Sequence, residues 1–334
     1  MKNGQLFRAR VLRTLGVVAL LTGVLGLISG VMAQTSYPTQ PIKLVVPFAP
    51  GGSTDSVARL LATDLGKRLG QSVIVENRPG AAGNIAADFI ARSEPDGYTL
   101  FFINDGVMTL NPFVYPSMGF DAQTDFTSIA KVGDLPCVLV ANLSAPFNNL
   151  KEMIAYSKTK PEGLNMAIPG LGTPEQLIST TIVQGTDAKI TIVPYKGGGP
   201  VMTDVMAGHV PLAMASVASA TPLIKGGQVK PIAISSPESW PSLPQVPTMV
   251  SGGVSEGVLL QSLGLVAPRN LPQPIVDKLN SAVNATINVP EIKDRIVDLG
   301  VRITPGTPQA YDAELKKAYA RFGPMIKAAN IKVD

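Results

Sequence analysis

A chain of 334 residues that is 45% hydrophobic and 16% charged is long enough for one large or two ordinary domains with real cores, which excludes a disordered polymer. Its formal net charge of +4 points at first to an anionic partner, but the excess is local: residues 1–33 hold four of the 28 basic residues and none of the 24 acidic ones. Without them the balance is 24 against 24, which removes the electrostatic case for nucleic acid or an anionic membrane.

That first segment has the parts of an export signal. Lys2, Arg8, Arg10 and Arg13 precede an apolar run from Leu15 to Val31, and Val31-Met32-Ala33 is a small-residue cleavage pattern ahead of Gln34. The run matches the shortest membrane spans, about 17 residues, so an uncleaved anchor is the alternative. Gly16, Gly23, Gly26, Gly30 and the Ala33 site favour removal. Cys137 is the only cysteine, so no intramolecular disulfide can form, and its apolar setting in Cys137–Val140 reads as a buried structural thiol.

From Ile42 the pattern is strand, helix, strand, helix, strand, over Ile42–Val46, Ser56–Leu69, Val73–Glu76, Asn84–Arg92 and Tyr98–Ile103. Gly70, Asn77-Arg78-Pro79-Gly80 and Pro95-Asp96-Gly97 punctuate it. Two consecutive crossovers imply a parallel sheet with helices on its faces. In such sheets ligands bind outside the carboxyl ends of the strands, which singles out the loops after Val46 and after Ile103, the latter Asn104-Asp105-Gly106.

The first of these loops, Pro47-Phe48-Ala49-Pro50-Gly51-Gly52-Ser53-Thr54-Asp55, is the most informative stretch of the chain. Its glycines let the backbone turn sharply and approach a ligand, and the amides of Gly51 to Thr54 are expected to converge at the positive end of a helix dipole. With no Lys or Arg in the loop, a bound anion is held by peptide groups, which suits a small carboxylate taken up and released. Asp55 reads as a cap, and its charge repels an anion unless it points away.

A second α/β region repeats the theme. Strand Leu164–Ile168 leads through Pro169-Gly170-Leu171-Gly172-Thr173-Pro174 into a helix from Glu175 to Gln184. Strand Ile190–Val193 leads through Pro194-Tyr195-Lys196-Gly197-Gly198-Gly199 into a helix from Pro200, and Val210–Ala215 and Val229–Ile234 supply further strands. After the proline-rich Pro237–Pro247 come strand Val258–Ala267 and helices Pro274–Ile287, Pro290–Leu299 and Thr307–Ile326. This helical ending suggests that the chain returns to cover its first region. Two lobes are expected, 37–141 plus 259–334 and 142–258, joined by crossing strands near Val138–Asn142 and Val258–Val266, with a ligand cleft between them.

No catalytic constellation emerges. The single histidine, His209, sits in the turn Gly208-His209-Val210, and one His with one Cys makes no zinc set. Asp55, Asp105 and Asp204 lie in separate neighbourhoods that suit capping and turns. Gly170-Leu171-Gly172 lacks the third glycine of a dinucleotide fingerprint, and the first loop lacks the Lys of a P-loop. No enzyme activity, metal or cofactor is expected. Tyr195-Lys196 has a charge suited to a ligand carboxylate, although a solvated lysine is the plainer reading.

Several motifs in order then resemble one family. They are Tyr37-Pro38, Pro41-Ile42-Lys43-Leu44-Val45-Val46-Pro47-Phe48-Ala49-Pro50-Gly51-Gly52, Val75-Glu76-Asn77-Arg78-Pro79-Gly80-Ala81, Pro95-Asp96-Gly97-Tyr98-Thr99-Leu100 and Val193-Pro194-Tyr195-Lys196-Gly197. Asn111-Pro112, Asp125-Phe126, Leu243-Pro244, Val246-Pro247-Thr248 and Pro274–Asn280 also fit. Across essentially the whole chain after the export segment, the sequence resembles the tripartite tricarboxylate transporter substrate-binding receptors, the Bug family. The resemblance implies an α/β, two-lobed periplasmic binding protein, each lobe a mixed or parallel sheet flanked by helices, that closes on an organic acid and delivers it to membrane permease subunits. A monomer is expected. Carried over by position, the ligand contacts are Ala49, Pro50, Gly51, Gly52, Ser53 and Thr54 in lobe one and Gly170, Gly172, Thr173 and Lys196 in lobe two.

The sequence also departs from the family pattern. Ile168-Pro169 replace two serines, Gln176 replaces a histidine, Ser262 replaces a frequent tryptophan, and Met249-Val250-Ser251 lack an expected glutamate. Ile168-Pro169 lead to the expectation of a less polar distal pocket and a ligand with an apolar or aromatic body. The rival functions are a sensor that signals to a membrane partner and, third, an exported hydrolase, which needs a nucleophile and base that the sequence does not offer.

Overall fold

The computed structural model describes residues 37–332, so the export segment and its cleavage site lie outside the described residues. The described residues from Gln40 onward form one compact unit. The strands expected early in the chain form a parallel set: β1 (Ile42–Val46) lies between β2 (Val73–Asn77) and β3 (Thr99–Asn104), with Leu44 opposite both Val75 and Leu100. Helix α1 (Ser53–Leu69) buries Val57, Ala58, Leu61, Ala62, Leu65 and Leu69, a stripe at three- and four-residue spacing, and stops at Gly70 in the left-handed conformation. It starts three residues before the expected Ser56 because Gly52, in extended backbone, serves as its N-cap. Helix α2 (Asn84–Ala91) follows β2, and two short helices, α3 (Gly106–Thr109) and α4 (Asn111–Val114), follow β3.

The middle of the sheet is set by one long strand, β4 (Phe126–Ala141). After it come helix α5 (Leu150–Lys158), β5 (Leu164–Ile168), α6 (Pro174–Gly185), β6 (Ile190–Pro194), α7 (Gly198–Ala207), β7 (Leu212–Ser216), α8 (Val217–Lys225) and β8 (Lys230–Ile234). The chain then runs back through β9 (Leu260–Pro268) and ends in α9 (Gln273–Ile287), α10 (Pro290–Asp298), β10 (Arg302–Ile303) and α11 (Pro308–Ala328). The first part of β4 is antiparallel to β9, from Phe126 opposite Pro268 to Pro136 opposite Leu260. Its second part is antiparallel to β7 and β8, beginning with Cys137 opposite Ser216. The result is one mixed, ten-stranded sheet of order β2-β1-β3-β9-β4-β7-β5-β6, with β8 and β10 also paired to β4.

Both faces of that sheet are covered. Cys137, Leu139 and Ala141 point to one apolar cluster and Val138 and Val140 to another, the two-residue alternation of a strand buried on both sides. The final helices return to the first region as expected, with the Thr286 hydroxyl of α9 donating to Asp64 of α1 at 3.0 Å. Helix α11 does more: Phe322 and Ile326, with Ile331 beyond it, share a cluster with Leu110 and Val114 and with Leu177, Ile178 and Met214. The proline-rich segment is pinned by Trp240, whose Nε1 donates to the Gly300 carbonyl at 2.7 Å beneath the Arg302 guanidinium. No helix among the described residues is long and apolar enough to cross a membrane.

Gly264 of β9 lets α11 pack closely on the sheet, because a Cβ at that position would overlap the ring of the buried Tyr311. Gly264→Ala is expected to destabilise the fold by about 1–3 kcal/mol through overpacking, read from urea denaturation. An unchanged denaturation midpoint would show that the contact is slack.

Candidate functional site

The carboxyl ends of β1, β3, β5, β6 and β7 all run toward the place where β4 changes partner. There Asn104 lies opposite Leu263, Leu135 opposite Gln261, and Cys137 opposite Ser216. The predicted site residues therefore occupy two groups of loops on either side of one crossing.

The first wall is the loop before α1. Ala49, Pro50, Gly51 and Gly52 are exposed, Ser53 is half-buried and Thr54 is buried. Asp55 settles how the loop meets an anion. Its carboxylate is 2% exposed and accepts from the Gly51 amide at 2.9 Å, from Arg59 Nε at 3.0 Å and from Asn77 Nδ2 at 2.8 Å, with Arg59 Nη2 3.0 Å from the other oxygen. Burial alone would raise its pKa, but hydrogen bonds from Arg59, Gly51 and Asn77 outweigh that and hold the carboxyl below its ordinary value. The charge is thus turned inward and neutralised. The Gly51 amide is consumed in doing so, which narrows the expected cradle to Gly52, Ser53 and Thr54, at a helix end that no side chain caps.

A second loop is held beside the first. Gly83, at φ 96°, leaves no room for a Cβ against Pro47 and Val107, and Asn111 Nδ2 donates to the Ala82 carbonyl at 3.0 Å and to Asn84 Oδ1 at 2.6 Å.

The opposite wall is made by the loops after β5, β6 and β7. Gly172 adopts φ 73° and donates its amide to Gln176 Oε1 at 2.6 Å, while Thr173 caps α6 by accepting from the Gln176 amide at 3.2 Å. The Thr173 hydroxyl donates to the Gly170 carbonyl at 2.9 Å. Gln176 thus acts inside its own loop, a variant of the capping box. The Gly197 amide donates to the Pro169 carbonyl at 2.8 Å, tying the second glycine loop to the first. Lys196 is exposed on that loop. Ile168 is fully buried in the core with Met166 and Leu177, and only Pro169 of that pair is partly exposed. Asp204 accepts from the Tyr195 hydroxyl at 2.7 Å rather than capping a helix.

The walls touch. A Cβ on Gly106 would lie 3.6 Å from Pro174, and one on Gly172 would lie 3.2 Å from Val114 and 3.3 Å from Tyr115. Behind this contact runs a buried chain of polar groups. Asn104 Nδ2 donates to Gln261 Oε1 at 2.6 Å, Gln261 Nε2 donates to Cys137 Sγ at 3.1 Å, and the Cys137 thiol lies within hydrogen-bonding reach of the Glu175 carboxyl. Asp105 is 5% exposed and caps nothing with its side chain. Burial, opposed by the Ser262 amide and reinforced by Asp134 and Glu314, pushes its carboxyl up to about 7.

Asn104 was visible as a strand-end residue, whereas Gln261 and Glu175 carried no local signal. Ser216, which caps α8 and whose hydroxyl is 3.0 Å from that of Ser219, was hidden because Pro222 inside α8 reads as a helix breaker. Among the described residues no group of His, Cys, Asp and Glu is placed to hold a metal ion.

Residues 57–331 match the model of the tripartite tricarboxylate transporter family receptor. Protein BugT of Bordetella pertussis is 31% identical over 322 residues, covering 96% of this chain and 98% of that one. An R. palustris protein solved with adipate is 33% identical, covers 89% of this chain and 100% of its own, and superposes with a TM-score of 0.84. MatC from Rhodopseudomonas palustris, solved with bound malate, is 31% identical with a TM-score of 0.81, covering 87% and 100%.

Asp55→Asn is expected to cost about 1–3 kcal/mol of stability at neutral pH, where the lost carboxylate leaves Arg59 and the Gly51 amide poorly partnered. A depressed folded pKa contributes stability above the unfolded value and loses it as pH falls, so the difference between variant and parent should shrink below about pH 4. Urea denaturation across that range checks this, and an equal loss at acid and neutral pH would contradict it.

Proposed function

Because the chain belongs to the tripartite tricarboxylate transporter receptor family, with a Bug protein among its relatives, we propose that it is a periplasmic receptor for a small organic carboxylate. The observation that carries this reading is the first wall: three amides at an uncapped helix end, beside a buried carboxylate already neutralised by Arg59 and hydrogen-bonded by Asn77. Such a site attracts one carboxylate without a fixed cationic partner, so release stays easy. Ala49 to Thr54 form one side of the cleft and Gly170, Gly172, Thr173 and Lys196 the other.

Segments 37–141 with 259–334 and 142–258 act as two lobes that hinge at β4 and β9, and the monomeric receptor passes its ligand to membrane permease subunits. Adipate and malate in the two related structures support an acid of that size. Exposed Lys196 is the one predicted contact able to meet a second carboxylate at the far end of the ligand. With Ile168 in the core, an apolar or aromatic ligand body rests on Pro169 alone.

A thermal-shift screen of the purified protein against adipate, malate, citrate and aromatic monocarboxylates tests the reading. A true ligand at 100 times its dissociation constant should stabilise by about 2.7 kcal/mol. No stabilisation by any organic acid would overturn it, and unimpaired uptake of the ligand in cells lacking this chain would overturn delivery to a permease.

A further inference from the structure

Glu175 is a buried acidic side chain at the contact between the two walls, and the carboxylate reading gives it no task. It is 6% exposed in the first turn of α6. Its carboxyl lies within hydrogen-bonding reach of its own amide, the Thr173 hydroxyl, the Cys137 thiol and the Gln261 side chain. Pro174, immediately before it, packs over Gly106, and Gly172 packs against Val114 and Tyr115. Those contacts lie immediately beside Glu175 in the chain and along the wall contact.

We propose that Glu175 is a positioning residue that latches the closed cleft in its neutral, protonated form, so that opening the cleft releases a proton. The inference rests on the hinged receptor described above. As an acid, Glu175 has an O–H to donate and extends the Asn104–Gln261–Cys137 chain, which joins β3, β9 and β4 to α6. As a carboxylate it is a buried charge with no ion-pair partner among the described residues. Burial accordingly raises its pKa, against the opposing pull of its own amide, Thr173, Cys137 and Gln261.

The other groups facing this region are few. Cys137 on β4 is itself pushed up by burial. Asp105 acts on Cys137 from the β3 side, and the Lys131 ion pairs with Asp134 and Glu314 lie beyond it. Glu256, on the turn packed against α6, is exposed, and Arg321 of α11 donates to the Val258 carbonyl. The sign follows from linkage: closure takes up a proton, so the closed form is favoured below the raised pKa of Glu175 and loses ground as pH rises.

Cys137, the only thiol and a direct neighbour of Glu175, reports the opening. Its reaction with 4,4′-dithiodipyridine is followed in the purified, ligand-free protein and divided by the rate of free glutathione at the same pH. The ratio is expected to rise with pH, by up to about tenfold per unit for one linked proton, and to level off above the raised pKa. In Glu175→Gln the ratio should be flat, and Asp105→Asn should keep the rise. A flat ratio in the parent protein, or an equal rise in Glu175→Gln, overturns the latch. Adipate and malate are added in a second arm: slower labelling is the expected result. If neither acid changes the rate while the pH dependence persists, the latch stands and the carboxylate reading is what fails.

Discussion

The change of partner in the middle of β4 is the constraint on which everything else depends. Up to Pro136 the strand pairs with β9, and from Cys137 it pairs with β7. Proline has no N–H to donate, so the ladder is interrupted at that step at no cost to an amide. The next amide is rescued from outside the ladder, with Cys137 N–H donating to Ser235 Oγ at 2.9 Å. Since β4 continues through the switch, the strands on either side of it are held in one sheet while their carboxyl ends face a common crossing. A candidate site assembled from five strand ends follows from that geometry, at the position where ligand sites lie in open α/β sheets.

The chemistry placed there is economical with charge. The first wall offers amides, and the nearest carboxylate has been withdrawn into Arg59 and Asn77. The glycines do two different things: Gly83 lets the backbone pass against Pro47 and Val107, whereas Gly51 and Gly172 spend their amides on Asp55 and Gln176 and so fix the loops. A rigid loop with a small number of unspent amides loses little entropy on binding.

Much of the fold was legible because local signals agreed. Strand β5 occupies the stretch read from its apolar run, and β1 and β2 are found beside their glycine and proline turns. What escaped depends on residues far apart in the chain. Only the end of β4, from Cys137 on, reads as a strand by itself, and its sixteen-residue length comes from partners that flank it on both sides. At the site, the glycine loops announced themselves, whereas the helix-spaced pair of Asp55 with Arg59 was missed because the helix was expected to begin only at Ser56. Asn77 in that cluster, and the meeting of Glu175 with Cys137 and Gln261, are products of tertiary packing that no local pattern encodes.

The most direct test of the central claim is an amide chemical-shift titration of the isotope-labelled protein with whichever organic acid stabilises it. The account predicts that Gly52, Ser53 and Thr54 shift together with Gly170 to Thr173, saturating at one common dissociation constant. Shifts confined to one wall, or amides of Gly52 to Thr54 that stay still while the ligand binds, would contradict it.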